Sequence, residues 1–499
     1  MIRAVSRSPL WLILLLAFAA RFAVGVANDG VLYPDELMQY LEQAHRLAFG
    51  AGMTPWEYEY GVRSWVPALA LAAVMKTTQF VGADTPAVYQ PLIKAILSAA
   101  SLVLPYSVYR LGRTLLDEPA ARLALVFTAF WYELVSYGHR ATIDALAAYT
   151  AFATLALVFA DSRRRVAVAA GALAGLTFIL RFQLSPLLGV LGLLALWRWR
   201  ARAWPAAAAA LVVIVLGGAL DYYTWGVWFS PIVTNLRLQT WNELASIFGT
   251  KPVYWYPPVM VVLSGGLAAV GAAGLVLARR SCWPLIVLGA VTLVAFSLIG
   301  HKETRFVLTL TPVWLIGLAA LVANRGRLIA TALPRARRLA PVASGLLLAG
   351  FAIVSVLGLS DRLPFETRVL RPNIARNVAR DAYRALAADD DVIAVLDASG
   401  SDGWYLAPYY DLHHDVPLYW PLSDGYRIAR ADPARYASHV LTAAAASGPA
   451  GFRRLKQIGD LVIWRRMVDP VSTDQPLEYE PRITALQPVR SPPTVTPRW

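Results

Sequence analysis

The sequence contains a single cysteine, Cys282, so it cannot form an internal disulfide or a thiolate zinc cluster. It is also poor in charge, because Asp, Glu, Lys and Arg make up 16% of its 499 residues, whereas soluble proteins average about 25%. Hydrophobic residues make up 57%, and the mean hydropathy is +0.50. These values exclude disordered, collagen-like, disulfide-stabilised and purely soluble proteins. They predict a multi-pass membrane protein.

The apolar runs predict eleven membrane-spanning helices. The first run follows Arg3 and Arg7, as in a secretory signal, but it continues past Arg21 without a convincing cleavage site, so we interpret it as an uncleaved span. Arg21 is expected to reach the membrane surface or to face the interior of the helix bundle. The eleven runs lie near residues 9–27, 89–110, 119–137, 141–160, 166–183, 185–198, 204–222, 258–278, 283–299, 306–323 and 340–360.

Basic residues indicate the orientation of these helices. The sequence has 46 Lys and Arg against 32 Asp and Glu, a net charge of +14, and membrane proteins collect such an excess in cytoplasmic loops. A further run, Trp65 to Phe80, is ambiguous. If it spans the membrane, two basic clusters fall outside; if it lies along the outer interface or dips back, every cluster lies inside. We therefore prefer the second arrangement, with inner clusters at Arg110/Arg113, Arg163 to Arg165, Arg198/Arg200/Arg202, Arg279/Arg280 and Arg325 to Arg338.

In this orientation the unusual polar segments lie at the outer ends of helices or in outer loops. Ionisable residues inside a membrane are costly and usually functional, so their convergence on one face predicts a site directed away from the cytoplasm. Nucleotide sugars and ATP are scarce there, which favours a lipid-linked donor for any group transfer. The segments are Asp35-Glu36, His139-Arg140, Arg181-Phe182-Gln183, Asp221 and His301 to Arg305.

The outer loop between residues 28 and 64 is too long for a simple connector. Pro34, Asp35 and Glu36 predict the start of a helix that ends at Gly50, and its apolar spacing favours an amphipathic helix lying in the membrane interface. The two acids either complement the helix dipole or supply a general base, which contributes about 10² to 10⁴ in rate. Since adjacent helical residues point about 100° apart, one acid would react and the other would hold structure.

The segment from Gly300 to Phe306 places His301, Lys302 and Arg305 on the face where basic residues are disfavoured. It is either an ordinary outer loop or a set of charges that stabilises a departing lipid phosphate. No acidic cluster with metal-ligand spacing is apparent in the sequence. We therefore expect neither a metal nor another cofactor.

Other polar and aromatic residues have a structural and a functional interpretation. Lys251, Tyr254 and Trp255 precede a span, where aromatic residues anchor helices to the interface; stacking on a sugar or an isoprenoid is the alternative. Asp221 shares this ambiguity. His139, Arg140, Asp144, Arg181 and Gln183 would either contact phosphate and hydroxyl groups or pack helices through polar contacts.

Composition changes abruptly after the last span. Residues 361–499 contain charges, prolines and the pair His413-His414, which we interpret as surface residues rather than metal ligands. Strand-like runs lie at Val392 to Leu396 and Leu461 to Trp464, and a helix-like run lies at Asn373 to Ala387. The sequence therefore predicts a small α/β domain, which by helix parity lies on the outer side, with an irregular tail after Pro470.

Several blocks resemble, in order, the polyprenyl-phosphate-mannose-dependent α-mannosyltransferases of glycosyltransferase family 22. They span residues 33 to about 312 and leave the C-terminal region uncovered. The blocks are Tyr33 to Gly50 with Thr54-Pro-Trp-Glu57 and Gly61-Val-Arg-Ser-Trp65, Asp221-Tyr-Tyr-Thr-Trp-Gly-Val-Trp228, Phe248-Gly-Thr-Lys-Pro252 with Tyr254-Trp-Tyr256, and His301-Lys-Glu303 with Arg305-Phe306. This chain departs from the pattern at Thr304 and Val253.

The resemblance implies an all-α polytopic GT-C-type fold of residues 1–360 and an inverting transfer of mannose from a polyprenyl phosphate to a glycan or glycolipid hydroxyl. The resemblance also implies that Asp35 is the base. Our own hypothesis from the residues is that Glu36 orients Asp35 and that Lys302 and Arg305, with Arg140 as a further candidate, stabilise the leaving phosphate. Trp56, Glu57, Arg63 and Glu303 join the substrate-binding set through the matching blocks. The partners are then the lipid donor, the acceptor and membrane lipids, and no nucleic acid.

Two other functions are open at this point. The chain could use another polyprenyl-phosphate sugar, such as arabinose, glucose or galactose. It could instead be a lipid-sugar flippase, although a flippase predicts polar residues through the membrane depth and pseudo-symmetric halves, and the sequence shows neither. The Ala- and Arg-rich composition and the lack of an endoplasmic-reticulum retrieval ending favour a bacterial inner-membrane enzyme with a periplasmic site.

Overall fold

A computed structural model of the chain describes residues 8–27, 30–241, 246, 249–324, 340–360, 377–400, 408–421, 423 and 425–467. The chain divides into two compact units. Unit 1 comprises residues 1–27, 94–220 and 235–374, and unit 2 comprises residues 28–93, 221–234 and 375–499. The predicted basic cluster from Arg325 to Arg338, Phe248 and the tail after Pro470 lie outside the described residues.

Unit 1 is helical throughout its described part. The boundaries between the two units fall within Pro86–Ser101, after residue 93, and within Trp204–Trp225, after residue 220. Short 3-10 turns at Phe182–Leu184, Arg200–Ala203 and Thr304–Val307 connect longer helices. The remaining helices are Leu10–Ala27, Val103–Leu115, Glu118–Phe130, Tyr132–Gly138, Ile143–Ala160, Arg164–Leu180, Ser185–Trp199, Leu236–Trp241, Tyr256–Leu263, Leu267–Leu277, Arg279–Ser297, Leu310–Ala323 and Ala340–Leu359.

Within the described residues, six helical segments are long and apolar enough to cross a membrane. The pair Tyr256–Leu263 and Leu267–Leu277 is bent by 109° and makes a seventh if it counts as one broken span. Leu310–Ala323 is a shorter apolar helix. The multi-pass architecture is therefore present, whereas the number of eleven spans stays a prediction.

Small residues allow two helices of unit 1 to cross closely. A Cβ atom at Gly274 would lie 2.1 Å from the carbonyl oxygen of Gly317, and one at Gly271 would lie 2.2 Å from that of Trp314. No side chain fits at such a distance, so Leu267–Leu277 and Leu310–Ala323 pack through backbone contact. Glycines at a crossing of this kind are typical of helix packing in membranes.

Arg21 faces the interior of unit 1, which was one of its two predicted positions. Its side chain is buried and donates hydrogen bonds to the carbonyl oxygens of Ala17 at 3.0 Å, Ala129 at 2.7 Å and Thr128 at 3.3 Å. The last two belong to the C-terminal turn of Glu118–Phe130, whose carbonyls lack partners within the helix. A cation at this end also complements the helix dipole, so Arg21 stabilises the break before Tyr132–Gly138.

A five-stranded mixed sheet forms the C-terminal part of unit 2. Its strands are β1 (Val395–Ala398), β2 (Leu418–Tyr419), β3 (His439–Ala443), β4 (Phe452–Ile458) and β5 (Leu461–Arg466). They lie in the order β2-β1-β3-β5-β4, where β1 pairs in parallel with β2 and β3, and β5 pairs antiparallel with β3 and β4. The predicted strand at Leu461 to Trp464 coincides with β5, and the other predicted run overlaps β1. The associated helices are Val378–Leu386, Pro408–Leu412, Tyr426–Ala431 and Pro433–Tyr436.

The outer loop is folded into the same unit as this sheet. Its helical part begins as a π-helix at Glu36–Leu41 and continues as Glu42–Phe49, which ends at Gly50 with φ of 90°, as predicted. Met38, Ala51 and Met53 share one hydrophobic core with residues of the C-terminal domain, including Tyr383, Trp420, Leu441 and Ile463. A membrane cannot separate groups that share a core, so the loop and the C-terminal domain lie on the same side of it.

The prediction that this helix lies in the membrane interface is wrong. Every residue from Glu36 to His45 is buried, including Gln39, Glu42 and Gln43. Met38 contributes to a hydrophobic core. The buried polar side chains of Gln39, Glu42 and Gln43 form hydrogen bonds, which offset the cost of their burial. The apolar spacing correctly identified a helix, but its polar face contacts protein.

The ambiguous run forms the helix Val66–Phe80, which packs against Glu42–Phe49. The helix has 15 residues, fewer than a straight span needs. At its start, Trp65 contacts Tyr58 and Trp225, with ring centroids 4.4 and 6.0 Å away. The arrangement in which this helix does not span the membrane stays a prediction. Trp56–Glu59 and Ser230–Asn235 are the other short helices of this part of the chain.

Candidate functional site

In unit 2, Gln39 is the centre of a buried polar cluster. Its Nε2 donates to Glu57 Oε1 at 2.7 Å, its Oε1 accepts from Arg63 Nε at 2.7 Å, and its carbonyl accepts from the Tyr58 hydroxyl at 2.8 Å. Asp35 lies one helical turn before Gln39 and is half-buried, immediately before the π-helix that begins at Glu36. Gln39, which sequence reasoning missed, therefore joins two predicted site residues, Glu57 and Arg63, and Asp35 lies one helical turn before it.

The environment of Glu57 is unusual for a carboxyl group. Burial, aided by the negative charge of Asp35 and opposed by Arg63, raises its pKa to about 7. Asp35 and Glu57 are therefore close enough to interact electrostatically. Glu36 and Trp56, two further predicted site residues, are buried in the same loop. Asp35 is half-buried and Glu57 is buried. Two acids in such different environments can take different roles, one accepting a proton and the other holding structure.

In unit 1, the segment from His301 to Arg305 is held in a defined conformation by Glu303. The Glu303 carboxylate accepts a hydrogen bond from His301 Nε2 at 2.9 Å and pairs with Arg305 Nε at 2.7 Å. Burial alone would raise the pKa of Glu303, but Arg305 and His301 outweigh it and lower the pKa to about 2. The hydrogen bond to Glu303 correspondingly raises the pKa of His301. Glu303 thus holds the side chains of His301 and Arg305 in one arrangement.

Lys302 differs from Arg305 in its partners. Arg305 pairs with Glu303, whereas among the described residues no carboxylate pairs with Lys302. Its side chain is buried, and its ammonium donates to the carbonyl oxygens of Lys251, at 3.1 Å, and Ile299. An ammonium has three N–H donors, and the carbonyls account for two of them. Burial lowers the pKa of Lys302. With Arg305 offset by Glu303, the segment keeps one excess positive charge, which suits an anionic ligand.

The stretch around Lys251 packs against this segment. The Lys251 N–H donates to the Gly300 carbonyl at 2.9 Å, and His301 Nδ1 contacts the Gly249 carbonyl at 3.0 Å. The Lys251 and Tyr254 side chains are exposed, and Trp255 is half-buried with its ring 5.2 Å from that of Tyr256. The structure therefore brings two of the predicted motifs together through their backbones.

A cavity borders the Thr304–Val307 turn and is lined in part by a half-buried acid. It is lined by aromatic residues that include Trp131, Tyr256 and Trp314. The acid is Glu133, whose Oε2 accepts a hydrogen bond from the Thr311 hydroxyl at 2.7 Å. Sequence reasoning missed Glu133, although an acid within an apolar run is a signal of function or of specific packing.

The sequence model of the Alg9-like mannosyltransferase family matches residues 10–362, which include both the Asp35 cluster and the His301 to Arg305 segment. The chain belongs to this family. The match ends before the C-terminal domain.

Relatives of this Alg9-like chain include the GPI mannosyltransferase 3 of Yarrowia lipolytica, 29% identical over 60% of this chain and 60% of that protein. The GPI mannosyltransferase 3 of Trypanosoma brucei brucei is 29% identical over 64% of this chain and 66% of that protein. The match thus spans about 60% of the first relative's length. Both relatives are eukaryotic, so they give no support to the predicted bacterial inner membrane.

Two solved structures share the fold. ArnT from Cupriavidus metallidurans bound to undecaprenyl phosphate superposes with a TM-score of 0.57 and 14% identity, covering 93% of this chain and 99% of that one. The Archaeoglobus fulgidus oligosaccharyltransferase in complex with Zn and sulfate has a TM-score of 0.52 and 11% identity, covering 86% and 68%. At these identities the likeness concerns the fold, and it confirms the GT-C type of membrane architecture.

Other predicted site residues of the Alg9-like chain lie outside the two clusters. His139 and Arg140 follow Tyr132–Gly138 and are buried; a Cβ at Gly25 would come within 2.8 Å of His139, so this side chain packs against the first span. Asp221 is buried near the end of Trp204–Trp225, and its carbonyl accepts from the Thr224 hydroxyl at 3.3 Å. The contacts described for Asp221 join it to neither cluster.

Arg181 has a packing role in unit 1. It forms a buried ion pair with Asp144, and its guanidinium lies 4.7 Å from the centroid of the Phe306 ring. Phe306 directly follows Arg305. Of the two interpretations of Arg181, the structure therefore supports polar helix packing, and through Phe306 this packing fixes the end of the cationic segment.

Replacing Asp144 with Asn is expected to destabilise the protein by about 3 kcal/mol, because a buried ion pair that loses one partner leaves an uncompensated charge. The side chains are 8% and 3% exposed, so water cannot take the place of the lost carboxylate. Thermal unfolding in detergent measures the change. The double variant Asp144→Asn/Arg181→Met, which removes both charges, should recover most of the loss. A single variant as stable as wild type would contradict a buried pair.

Replacing Glu57 with Gln should flatten the dependence of stability on pH. Because the pKa of Glu57 in the folded chain is about 7, above its ordinary 4.5, the folded state binds this proton more tightly. The stabilisation from this proton is complete at a pH below 4.5, the pKa of Glu57 in the unfolded chain, and it is lost as the pH rises through about 7. Glutamine has no such proton, so the variant should lose less stability than wild type between pH 4.5 and 7. The measurement is the free energy of unfolding as a function of pH for both proteins. The same pH dependence in wild type and in Glu57→Gln would contradict the buried state of Glu57.

Proposed function

We propose that the chain is an integral membrane glycosyltransferase that transfers mannose from a polyprenyl-phosphate-mannose donor to a hydroxyl of a glycan or glycolipid acceptor. The observation that carries the proposal is the buried ammonium of Lys302, held by two carbonyls and not neutralised by a carboxylate among the described residues. A departing lipid phosphate develops negative charge, which such a cation stabilises. Relatives named as GPI mannosyltransferases support mannose as the sugar.

The proposed reaction is a single displacement. An acceptor hydroxyl attacks the anomeric carbon, its proton passes to the carboxylate of Asp35, and the bond between that carbon and the phosphate oxygen breaks. The phosphate leaves with the bonding electrons, and the configuration at the anomeric carbon inverts. Asp35 is the base in this scheme, and Glu36 orients it from the buried start of the helix.

The remaining residues take roles that follow from their surroundings. Lys302 and Arg305 receive the leaving phosphate, while Glu303 and His301 hold Arg305 in place. Gln39 holds Glu57 and Arg63 in place, and Glu57 interacts electrostatically with Asp35. The residues proposed to frame the sugar or acceptor are Trp56, Lys251, Tyr254, Trp255, His139, Arg140 and Asp221. Arg181 acts indirectly, through Phe306.

A lipid-linked donor is also supported by the fold. One structure with this fold, ArnT, was solved bound to undecaprenyl phosphate.

The family match covers residues 10–362, so it bears on the helical part of the chain that carries the proposed site. The predicted outer-side location of the site belongs to this proposal as well.

Donor competition tests the proposal. Purified protein in detergent or vesicles is given synthetic polyprenyl phosphates that carry mannose, glucose, galactose or arabinose, together with a panel of glycolipid acceptors. Transfer of mannose in preference to the other sugars is the expected result. Preference for another sugar would overturn mannose while keeping the lipid donor. Movement of the lipid across vesicles without any transfer would establish the flippase alternative.

A further inference from the structure

Within unit 2, the carboxylate of Glu42 connects three parts of the chain. Its Oε1 accepts hydrogen bonds from the backbone N–H of Met53 at 2.8 Å and of Tyr409 at 3.3 Å, and its Oε2 accepts from the N–H of Tyr410 at 3.0 Å. Glu42 belongs to the outer-loop helix, Met53 to the loop after that helix, and the two tyrosines to the C-terminal domain. One buried side chain thus joins the C-terminal domain to the loop that carries Asp35.

The C-terminal side of this connection is fixed by Asp411. Its fully buried carboxylate accepts from Arg380 at 2.7 and 3.0 Å, from Arg384 at 3.1 Å and from Gln90 Nε2 at 2.8 Å. The Tyr410 carbonyl also accepts from the Tyr89 hydroxyl at 2.6 Å. Charge-assisted hydrogen bonds of this kind are about twice as strong as neutral ones. The N–H groups offered to Glu42 are therefore held in fixed positions.

The loop side is equally constrained. The Gln43 amide donates to the carbonyls of Met38 at 3.0 Å and Met53 at 2.7 Å, so the helix and the following loop are fastened to each other. Asp35 lies seven residues before Glu42, about 10 Å along a helix of this length. Because helical turns join the two, a displacement at Glu42 is transmitted to Asp35.

We propose that the C-terminal domain, residues 377–467, positions the acid loop for the transfer reaction, and that Glu42 is the positioning residue through which it does so. The inference rests on the proposed function, because it takes Asp35 to be the base. It assigns a role to a part of the chain that lies beyond the family match at residues 10–362. Buried polar networks that are fully hydrogen-bonded specify one arrangement of the elements they join.

The variant Glu42→Gln tests this role with little change of shape. Glutamine has one acceptor oxygen in place of two, so it cannot accept from Met53, Tyr409 and Tyr410 as the carboxylate does. The matched control is Asp397→Asn. Asp397 is an equally buried acid of the same domain, but its partners, Tyr383 and Ser399, also belong to that domain. A general loss of stability in the domain would affect both variants.

Two measurements on the full-length protein are made side by side. Misplacement of a catalytic group by about 1 Å costs roughly 10²-fold, so we expect Glu42→Gln to lower kcat between about 10-fold and 100-fold while the KM for polyprenyl-phosphate-mannose stays within about twofold. Amide hydrogen exchange of residues 36–57 should accelerate in Glu42→Gln and stay at the wild-type rate in Asp397→Asn.

Equal losses of kcat in the two variants, or unchanged kcat in Glu42→Gln despite faster exchange, would overturn the positioning role. Transfer failing already in the wild type would instead contradict the proposed function. Exchange still tests the connection in that case, and an unchanged rate for residues 36–57 in Glu42→Gln would refute it.

Discussion

Replacing Asp35 with Asn is expected to reduce kcat for mannose transfer by about 10² to 10⁴, the range that a general base contributes. The change keeps the shape of the side chain and removes its ability to accept the proton of the acceptor hydroxyl. Asp35 contributes its charge to the cluster around Gln39 but lies half-buried at the beginning of the helix, so the substitution leaves the core of unit 2 intact. The KM for the donor should change little.

The adjacent acid supplies the control for this experiment. Glu36 is buried and lies in the first turn of the π-helix, so Glu36→Gln should affect thermal unfolding more than Asp35→Asn does, and kcat less. Turnover of Asp35→Asn at the wild-type rate, with unfolding unchanged, would remove Asp35 from the mechanism. A large loss of kcat in Glu36→Gln alone would assign the base to Glu36.

Replacing Lys302 with Met is expected to lower kcat/KM for the lipid donor by about 10² to 10³, the loss typical of removing one group that stabilises developing negative charge. Met has a similar length and keeps the packing of a buried side chain. What it lacks is the ammonium, which the carbonyls of Lys251 and Ile299 hold in place. Steady-state kinetics with varied donor concentration gives the loss directly.

Lys302→Arg is the matched variant for charge. Arginine keeps the cation but cannot reproduce the compact ammonium between two carbonyls, so its activity should lie between wild type and Lys302→Met. Activity of Lys302→Met equal to that of wild type would mean that the excess charge of this segment serves structure alone. Equal losses in the Arg and Met variants would point to packing rather than charge.

Part of the acid loop follows from the sequence. The proline and two acids predict the start of its helix, and Gly50 predicts the end, because both signals are local. The burial of this helix is not local. Glu42 and its partners Tyr409 and Tyr410 are separated by more than 360 residues, and a pattern of apolar spacing cannot tell solvent from a distant protein surface.

The cationic segment shows the same limit. His301, Lys302 and Arg305 lie within five residues of sequence, and this spacing alone predicts an unusual local charge. The division of labour among them depends on hydrogen bonds that no motif specifies. Glu303 offsets Arg305 and holds His301, whereas Lys302 is held by carbonyls. Gln39 and Glu133 were missed for a similar reason, because one polar residue within an apolar stretch reveals its importance only when its partners are known.

The proposed function requires the Asp35 loop and the His301 to Arg305 segment to act on one lipid-linked donor. Photo-crosslinking tests it most directly, with polyprenyl-phosphate-mannose carrying a diazirine either on the sugar or on the first isoprene unit. We expect the sugar probe to label residues 33–63 and the isoprene probe to label residues 299–307, with both signals removed by excess unmodified donor. Labelling of only one of these regions, or labelling that excess donor does not compete away, would contradict the account.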